Sequence, residues 1–201
     1  MVKIRKARPS DVGAMLRLIN DYAATGAMLP RTEFEMCENV RDFTVAYEQG
    51  NGEAVLVGCG ALHFYTPQTA ELRSLAVSER HKSGGVGRRI VEALLKEARD
   101  YGLDIVFAFT YVVGFFEKCG FAVVDRGSLP LKAWKDCVRC PKFSCCDETA
   151  VVYLISPEAM AHTHLDAAAG LVEITPLSSA WSAPPDEPIT LPTRAPGFQQ
   201  R

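Results

Sequence analysis

Leu72-Arg73-Ser74-Leu75-Ala76-Val77 is the first of two stretches that carry the strongest fold signal in this chain. The second follows four residues later and reads Lys82-Ser83-Gly84-Gly85-Val86-Gly87. The first stretch is mostly apolar and predicts a strand, and the second is a glycine-rich turn. Residues 88–99 follow with one apolar stripe at helical spacing, formed by Ile90, Val91, Leu94, Leu95 and Ala98. The pattern therefore predicts a strand, a glycine turn and an amphipathic helix that packs on a sheet.

The glycine turn also predicts a binding site for a phosphorylated cofactor. Glycines let the backbone approach a ligand closely, and the free N–H groups and positive dipole end of a helix's first turn favour anions. The turn does not fit a P-loop, because Arg88 follows Gly87 where Lys-Ser/Thr is needed. It does not fit a dinucleotide fingerprint either, because Ile90 stands at the position of the third glycine.

Composition narrows the class of protein. The chain has 201 residues, 48% of them hydrophobic, and a net charge of −2, which favour one globular domain and give no reason to expect nucleic acid or an anionic membrane as partner. No apolar run reaches the roughly 18 residues that span a bilayer, and residues 1–5 lack the core of a signal peptide. We therefore expect a cytoplasmic protein whose seven cysteines are reduced.

Hydrophobic periodicity predicts the other elements. Strands are expected over residues 2–7, 43–47, 54–65, 72–77, 105–110, 121–125 and 149–155. Helices are expected from Ser10, as N-cap, to about residue 23, and over 31–40 and 113–119. The Gln49-Gly50-Asn51-Gly52 segment predicts a hairpin turn.

The residues after 156 differ in composition from the rest of the chain. Six of the twelve prolines follow Thr175, among Ser, Thr and Ala, with little apolar periodicity. We expect a folded domain over residues 1–156 and a disordered proline-rich tail over residues 157–201.

The turn at 82–87 resembles the coenzyme A loop of the GNAT N-acetyltransferase superfamily, Gln/Arg-x-x-Gly-x-Gly/Ala, with Lys82 at the Gln/Arg position. The resemblance implies an α/β (α+β) fold with a mixed, mostly antiparallel sheet and helices on both faces. Further stretches resemble the short, single-domain bacterial N-acetylglutamate synthases. They are residues 29–31, 57–63, 71–77, 106–111 and 115–121.

Resemblance to these synthases implies transfer of acetyl from acetyl-CoA to the α-amine of L-glutamate, at the start of arginine biosynthesis. The partners implied are small molecules, with a homodimer as the candidate assembly. Two alternatives stay open. One is acetylation of another small amine or a protein N-terminus, and the other is a non-catalytic acetyl-CoA-binding sensor.

The resemblance also implies which residues bind acetyl-CoA. The backbone of Leu75, Ala76 and Val77 is expected to pair with the pantetheine arm like an added strand. The diphosphate is expected on the turn and the start of the helix, at Lys82, Ser83, Gly84, Gly85, Val86, Gly87 and Arg88.

Glutamate recognition calls for cations, and arginine's planar fork suits carboxylates. Arg31 precedes the second helix, where superfamily members place their acceptor loop, and Arg73 stands in mid-strand. For Arg31 the alternative is a solvated loop residue, and for Arg73 it is a structural salt bridge. Longer synthases carry a further arginine where this chain has Tyr111.

Proton removal from the amine is assigned to Glu71, which shares a strand face with Arg73. The alternative for Glu71 is an ion pair with Arg73 or a role in holding the substrate. Many GNAT enzymes protonate the departing thiolate with a tyrosine at the position of Phe116, so Tyr111 or Ser74 is the candidate acid here. The alternative is that the thiolate leaves without an acid, because a thiol is already fairly acidic.

Four cysteines lie close together at Cys137, Cys140, Cys145 and Cys146. Their number is sufficient for a tetrahedral zinc site, although the second pair lacks the usual two-residue spacing. Zinc and reduced structural thiols are therefore both open. His63 is expected to lie in the acceptor cleft or in packing, and His81 on the surface.

Overall fold

The computed structural model describes residues 1–49, 54–129, 137–140 and 142–155. The strands are β1 Val2–Lys6, β2 Phe43–Gln49, β3 Ala54–Phe64, β4 Thr69–Val77, β5 Ile105–Thr110, β6 Ala122–Val124 and β7 Thr149–Leu154. The helices are α1 Val12–Ala24, α2 Glu33–Glu38, α3 Val86–Asp100 and α4 Val113–Lys118. All elements predicted from periodicity are confirmed, with shifts at their ends. The predicted turn at residues 50–52 and the tail at 157–201 lie outside the described residues.

One sheet joins the strands in the order β1-β2-β3-β4-β5-β7-β6. Neighbouring strands are antiparallel except β4 and β5, which are parallel. One face packs on α3 and α4 through a core that includes Ile90, Leu94 and Phe116, and the other packs on α1 and α2 through Met15, Ile19 and Met36. The predicted mixed, mostly antiparallel sheet with helices on both faces is confirmed.

The start of α1 differs from the prediction. Residues Pro9–Asp11 form a short 3-10 turn, and α1 begins only at Val12, without a side-chain cap. Ser10 as N-cap is therefore wrong. The carboxylate of Asp11 instead accepts from the backbone N–H of Arg8 at 2.7 Å and pairs with Arg5 at 2.6 Å, so it stabilises the turn that precedes the helix.

Helix α2 is shorter than the predicted 31–40 segment because a capping box sets its start. The hydroxyl of Thr32 accepts from the N–H of Glu35 at 3.2 Å, and the carboxylate of Glu35 accepts from the N–H of Thr32 at 2.9 Å. Arg31 therefore lies in the α1–α2 connection. None of the helices in the described ranges is long and apolar enough to cross a membrane.

A β-bulge lies in the middle of β4. Arg73 pairs with Ala61 and Ala76 with Cys59, so two residues, Ser74 and Leu75, face one on β3. Ser74 has φ +52°, a left-handed conformation that is unusual for a residue with a side chain. The bulge bends the second half of β4 relative to the first.

The sheet opens between β4 and β5. The two strands pair in parallel over Thr69–Glu71 and Ile105–Phe107 and then separate, while β5 continues to pair with β7 up to Thr110. Residues 72–77 and 108–110 therefore line a gap, which we call the β4–β5 cleft. It lies at the carboxyl ends of both strands.

Candidate active site

The β4–β5 cleft presents backbone groups of β4. The N–H of Ser78 donates to the carbonyl of Val57 on β3 at 2.9 Å, so the backbone groups of Val77, one residue earlier, point to the opposite edge. The side chains of Leu75 and Val77 pack in the α3 core, and that of Ala76 packs in the α1 core. The side chains are thus turned into the two cores, and it is the backbone edge at Val77 that faces the cleft, whereas Ala76 pairs with Cys59 on β3.

The hydroxyl of Tyr22 on α1 reaches the same edge. It donates to the carbonyl oxygen of Val77 at 2.5 Å. This contact engages one acceptor on the edge that was predicted to bind pantetheine. Sequence reasoning missed Tyr22, because its position on α1 does not reveal which strand it meets.

The glycine turn stands where β4 leads into α3. Residues Glu79–Gly84 form a 3-10 turn, and Gly85 at φ +71° precedes α3. A Cβ built on Gly84 or Gly85 would meet nothing within 4 Å, so space lies open in front of the turn. The fifteen-residue helix α3 begins directly behind this open space, and the positive end of its dipole favours an anion there.

Gly87 has a different reason to be glycine. A Cβ there would lie 3.3 Å from Cζ of Phe115 on α4, and Gly87 is buried. Its missing side chain serves the packing of α3 against α4. Gly87 was predicted to allow close approach of a ligand, and its packing against Phe115 is a further role.

Two cations flank the turn. The Nζ of Lys82 lies 2.6 Å from Oε1 of Glu79 and 5.1 Å from the ring centroid of Tyr22. The hydrogen bonds of Glu79 and Tyr22 raise the pKa of Lys82, which keeps it cationic. Arg88 is exposed and pairs with Glu92 at 2.9 Å. Both cations are thus paired with carboxylates beside the turn.

A chain of side chains ties the turn to the sheet. The hydroxyl of Ser78 lies 2.7 Å from Nδ1 of His81, and Nε2 of His81 lies 3.0 Å from Oε2 of Glu48 at the end of β2. His81 is thus only partly exposed, instead of a plain surface residue. The sequence feature from which the Ser78–His81 contact could have been predicted is a histidine three residues after a serine that precedes a turn.

Glu71 and Arg73 lie on the face of β4 opposite α3. The side chain of Glu71 is 0% exposed, and its Oε2 accepts from the hydroxyl of Tyr65 at 3.1 Å. Glu71 stands directly across the β3–β4 ladder from His63. A carboxylate and an imidazole therefore share one face of the sheet.

Arg73 has partners within the protein. Its Nη2 lies 3.4 Å from Oδ1 of Asn39 and 4.0 Å from Oδ2 of Asp42, and its side chain is 9% exposed. The salt bridge weighed as the alternative role of Arg73 is therefore present. A substrate carboxylate at Arg73 would share this cation with Asp42.

Arg31 is positioned by its backbone. Its N–H donates to Oδ1 of Asn20 at 2.9 Å, and its carbonyl accepts from Nδ2 of Asn20 at 3.0 Å. These two hydrogen bonds to Asn20 on α1 fix the path of the α1–α2 connection. The connection lies on the sheet face that carries Arg73, because α1 and α2 cover that face.

The two candidate acids lie in different settings. Tyr111 follows β5, is 41% exposed, and its hydroxyl accepts from Nζ of Lys142 at 3.1 Å. Partial burial raises the pKa of Tyr111, which keeps the phenol protonated. Ser74 lies in the β4 bulge, where its carbonyl accepts a weak hydrogen bond from Sγ of Cys59 at 3.9 Å.

Comparison with known protein families identifies the family of this chain. The sequence pattern of the acetyltransferase (GNAT) family matches residues 14–121, more than half of the 201-residue chain. The chain belongs to the GNAT family of acetyltransferases. It is an acetyl-CoA-dependent enzyme of the GNAT type.

Two relatives resemble this acetyltransferase over most of their own length. An uncharacterized N-acetyltransferase of Chlorobaculum tepidum is 40% identical over 149 residues, which are 74% of this chain and 94% of the relative. An amino-acid acetyltransferase of Mycobacterium tuberculosis is 37% identical over 136 residues, 68% of this chain and 77% of the relative.

Solved structures show the same fold. N-acetylglutamate synthase of Neisseria gonorrhoeae, complexed with coenzyme A and N-acetyl-glutamate, matches at TM-score 0.68 and 25% identity, over 78% of this chain and 35% of that one. This acetyltransferase thus spans about a third of the Neisseria enzyme. A Mycobacterium tuberculosis protein solved with CoA matches at TM-score 0.65 and 28% identity, over 76% of this chain and 98% of that one.

The cysteine segment of this acetyltransferase forms two short turns, Cys137–Arg139 and Phe143–Cys145. Arg126 donates to the carbonyls of Cys146 at 2.9 Å and Glu148 at 2.6 Å. Within the described ranges, no group of three or more His, Cys, Asp or Glu side chains is placed to hold a metal ion. The hypothesis of zinc at Cys137, Cys140, Cys145 and Cys146 therefore has no support from the structure.

Proposed function

We propose that this GNAT enzyme transfers acetyl from acetyl-CoA to the α-amine of L-glutamate, the first step of arginine biosynthesis. The observation that carries the proposal is the placement of Glu71 and Arg73 on one face of β4, where the strand leaves β5: Glu71 is the last residue paired with β5, and Arg73 lies at the start of the cleft. A proton acceptor and a carboxylate-binding cation are thus close to the edge along which an acyl thioester would lie. The relationship to an amino-acid acetyltransferase supports an amino acid as acceptor.

Acetyl-CoA fits the cleft and the turn. The open space before Gly84 and Gly85, with the first turn of α3 behind it, suits a diphosphate, and Lys82 and Arg88 add positive charge. The backbone of Leu75–Val77 suits the amides of pantetheine, in the manner of an added strand. The cosubstrate supplies the acetyl thioester, and the protein holds it beside the acceptor.

The acceptor is proposed to lie between β4 and the α1–α2 connection. Arg73 on β4 and Arg31 on the connection are the two arginines for the carboxylates of glutamate. Glu71 is the candidate on β4 for the base that removes the amine proton, directly or through water. Tyr111 and Ser74 stay as candidates for the acid that protonates the thiolate, and a thiol is acidic enough to leave without help.

A second acceptor class is favoured by one observation. Asp42 lies 4.0 Å from Arg73 and already offsets its charge. A site with one cation so compensated suits an amino acid with a single carboxylate and a neutral polar side chain, such as glutamine. Glutamine is therefore the runner-up.

The test is an acceptor panel. Purified enzyme is incubated with acetyl-CoA and each of the twenty amino acids, and N-acetyl products are quantified by mass spectrometry, which free protein thiols do not disturb. We expect glutamate to be acetylated fastest. Equal rates for all amines, or a clear preference for glutamine, would overturn the glutamate assignment.

A further inference from the structure

His63 and Asp42 form a pair on the acceptor face that the proposed chemistry does not yet use. The Nδ1 of His63 lies 2.7 Å from Oδ2 of Asp42, a short distance for a hydrogen bond. The side chain of His63 is 14% exposed and that of Asp42 is 21% exposed, so the pair is sheltered but can be reached. It stands opposite Glu71 in the β3–β4 register.

The contact with Asp42 determines the tautomer of His63. A carboxylate can only accept, so Nδ1 must carry the proton, and in the neutral ring the lone pair then lies on Nε2. A carboxylate bonded to Nδ1–H also stabilises the imidazolium that forms when Nε2 gains a proton. The geometry therefore prepares His63 as a base.

Glu71 is less well placed to meet a substrate. Its side chain is fully buried, and one of its oxygens already accepts from Tyr65. Tyr65 also packs edge-on against His63, with ring centroids 5.4 Å apart. Of the two bases on this face, the imidazole is the more accessible one.

We propose that His63, oriented by Asp42, accepts the proton of the acceptor's ammonium group, with Glu71 behind it as a buried countercharge. The proposal rests on the proposed function only in requiring an amine as the acceptor in this cleft. His63 is then a catalytic residue, and Asp42 is a positioning residue that acts through it.

His63 takes one proton from the ammonium onto Nε2, which frees the nitrogen lone pair. The lone pair forms the N–C bond to the thioester carbonyl, the C–S bond breaks with its electrons on sulfur, and the thiolate takes the second amine proton. The imidazolium then returns its proton to solvent. Overall, one ammonium and one thioester become one amide, one thiol and one released proton.

The charges around His63 are mixed. Asp42 comes from the 3-10 turn Val40–Asp42, and Glu71 and Arg73 come from β4. Two carboxyl groups and one guanidinium thus face the imidazole from these two elements. Asp42 lies 2.7 Å from the imidazole of His63 and 4.0 Å from the guanidinium of Arg73, so it contacts both groups.

The test is the His63→Asn variant. An asparagine amide can still donate to Asp42 from a position near that of Nδ1, so the link to the 3-10 turn is kept while the base is lost. We expect kcat at pH 7 to fall by at least about tenfold, as for loss of a general base, with the KM for acetyl-CoA unchanged. The deficit should shrink toward about pH 9, because more of the amine is then already neutral.

A purely structural role predicts a different outcome. Wild-type rates for His63→Asn at pH 7, or a deficit of the same size at both pH values, would overturn the proposal. Asp42→Asn should give a smaller loss with the same pH trend, and Asp100→Asn, an exposed carboxylate on α3, is the matched control. If His63→Asn does not fold, as judged by thermal unfolding, His63→Gln is measured in the same way.

The assay uses whichever amino acid the wild-type enzyme acetylates fastest. Failure of the glutamate assignment is therefore seen in the wild-type panel. Failure of the His63 proposal is seen only in the variants.

Discussion

The hydroxyl of Tyr65 donates to Oε2 of Glu71 at 3.1 Å, and the side chain of Glu71 is fully buried. A buried carboxylate that accepts a hydrogen bond is held in one orientation. Tyr65 directly follows β3 and Glu71 lies in β4, so the pair depends on the connection between these neighbouring strands.

Glu71→Gln is expected to lower kcat by more than about tenfold, because the amide keeps an oxygen for Tyr65 but removes the charge. The loss should appear in kcat with little change in the KM for acetyl-CoA. Steady-state kinetics with Asp100→Asn as surface control checks this. A variant with wild-type kcat across pH would remove Glu71 from the mechanism.

Arg73→Ala is expected to raise the KM for the amino acid more than the KM for acetyl-CoA, because a carboxylate-binding cation is lost. Arg73→Lys should recover only part of the affinity, since lysine lacks the planar fork that reaches both Asn39 and Asp42. Equal effects on both substrates would show that Arg73 acts through folding alone.

Gly85→Ala is expected to weaken acetyl-CoA binding, and Gly102→Ala is its matched control. Both glycines have left-handed backbones, φ +71° and +68°, and open space around the missing Cβ. Each substitution should cost about 1 kcal/mol of stability. Only Gly85→Ala should raise the Kd for acetyl-CoA in calorimetry, because only that turn faces the proposed diphosphate. Matching Kd values would place the cofactor elsewhere.

Asp11→Asn is expected to lower stability at neutral pH and to have little effect in strong acid. Arg5 donates to the Asp11 carboxylate and lowers its pKa to about 2, against the opposing effect of burial. A lowered pKa stabilises the fold above the unfolded-state value of about 4, and the gain is lost as pH falls through about 2. The size is about 2 kcal/mol. Urea unfolding of both proteins at pH 7, 4 and 2 measures the gap, which should close with acid.

Cys59 is expected to resist alkylation in the native protein. Its burial raises the pKa of the thiol to about 12, so the reactive thiolate is scarce. Cys37 and Cys145 are exposed and should be labelled first by iodoacetamide at pH 8. Mass spectrometry of peptides before and after denaturation separates them, and early labelling of Cys59 would contradict its buried position.

Local patterns predicted the elements well, because strand, turn and helix signals depend on near neighbours. The stripe at Ile90, Leu94 and Ala98 is buried as predicted. The prediction that Ser10 is the N-cap of α1 was wrong, because the turn before the helix is stabilised by Asp11, which pairs with Arg5 on β1. That contact is not local to the helix start.

The candidate site was predicted only in part. Glu71 and Arg73 were singled out from their shared strand face, which a period of two makes visible. Asp42, Asn39, Tyr65 and Tyr22 were missed, because each reaches the site from outside β4. A salt bridge of Arg73 could be suggested from the sequence as an alternative role, but Asp42 could not be identified as its partner.

Local sequence was sufficient to predict the strand, glycine turn and helix at residues 72–99, and with them an anion site. These features follow from backbone freedom at glycine and from the period of the apolar residues, both of which act over a few positions. The β4–β5 cleft and the meeting of His63, Asp42, Glu71 and Arg73 became visible only in the folded chain. That grouping depends on long-range strand register and on the bulge at Ser74, because a shift of one residue would move these side chains to the other face of the sheet.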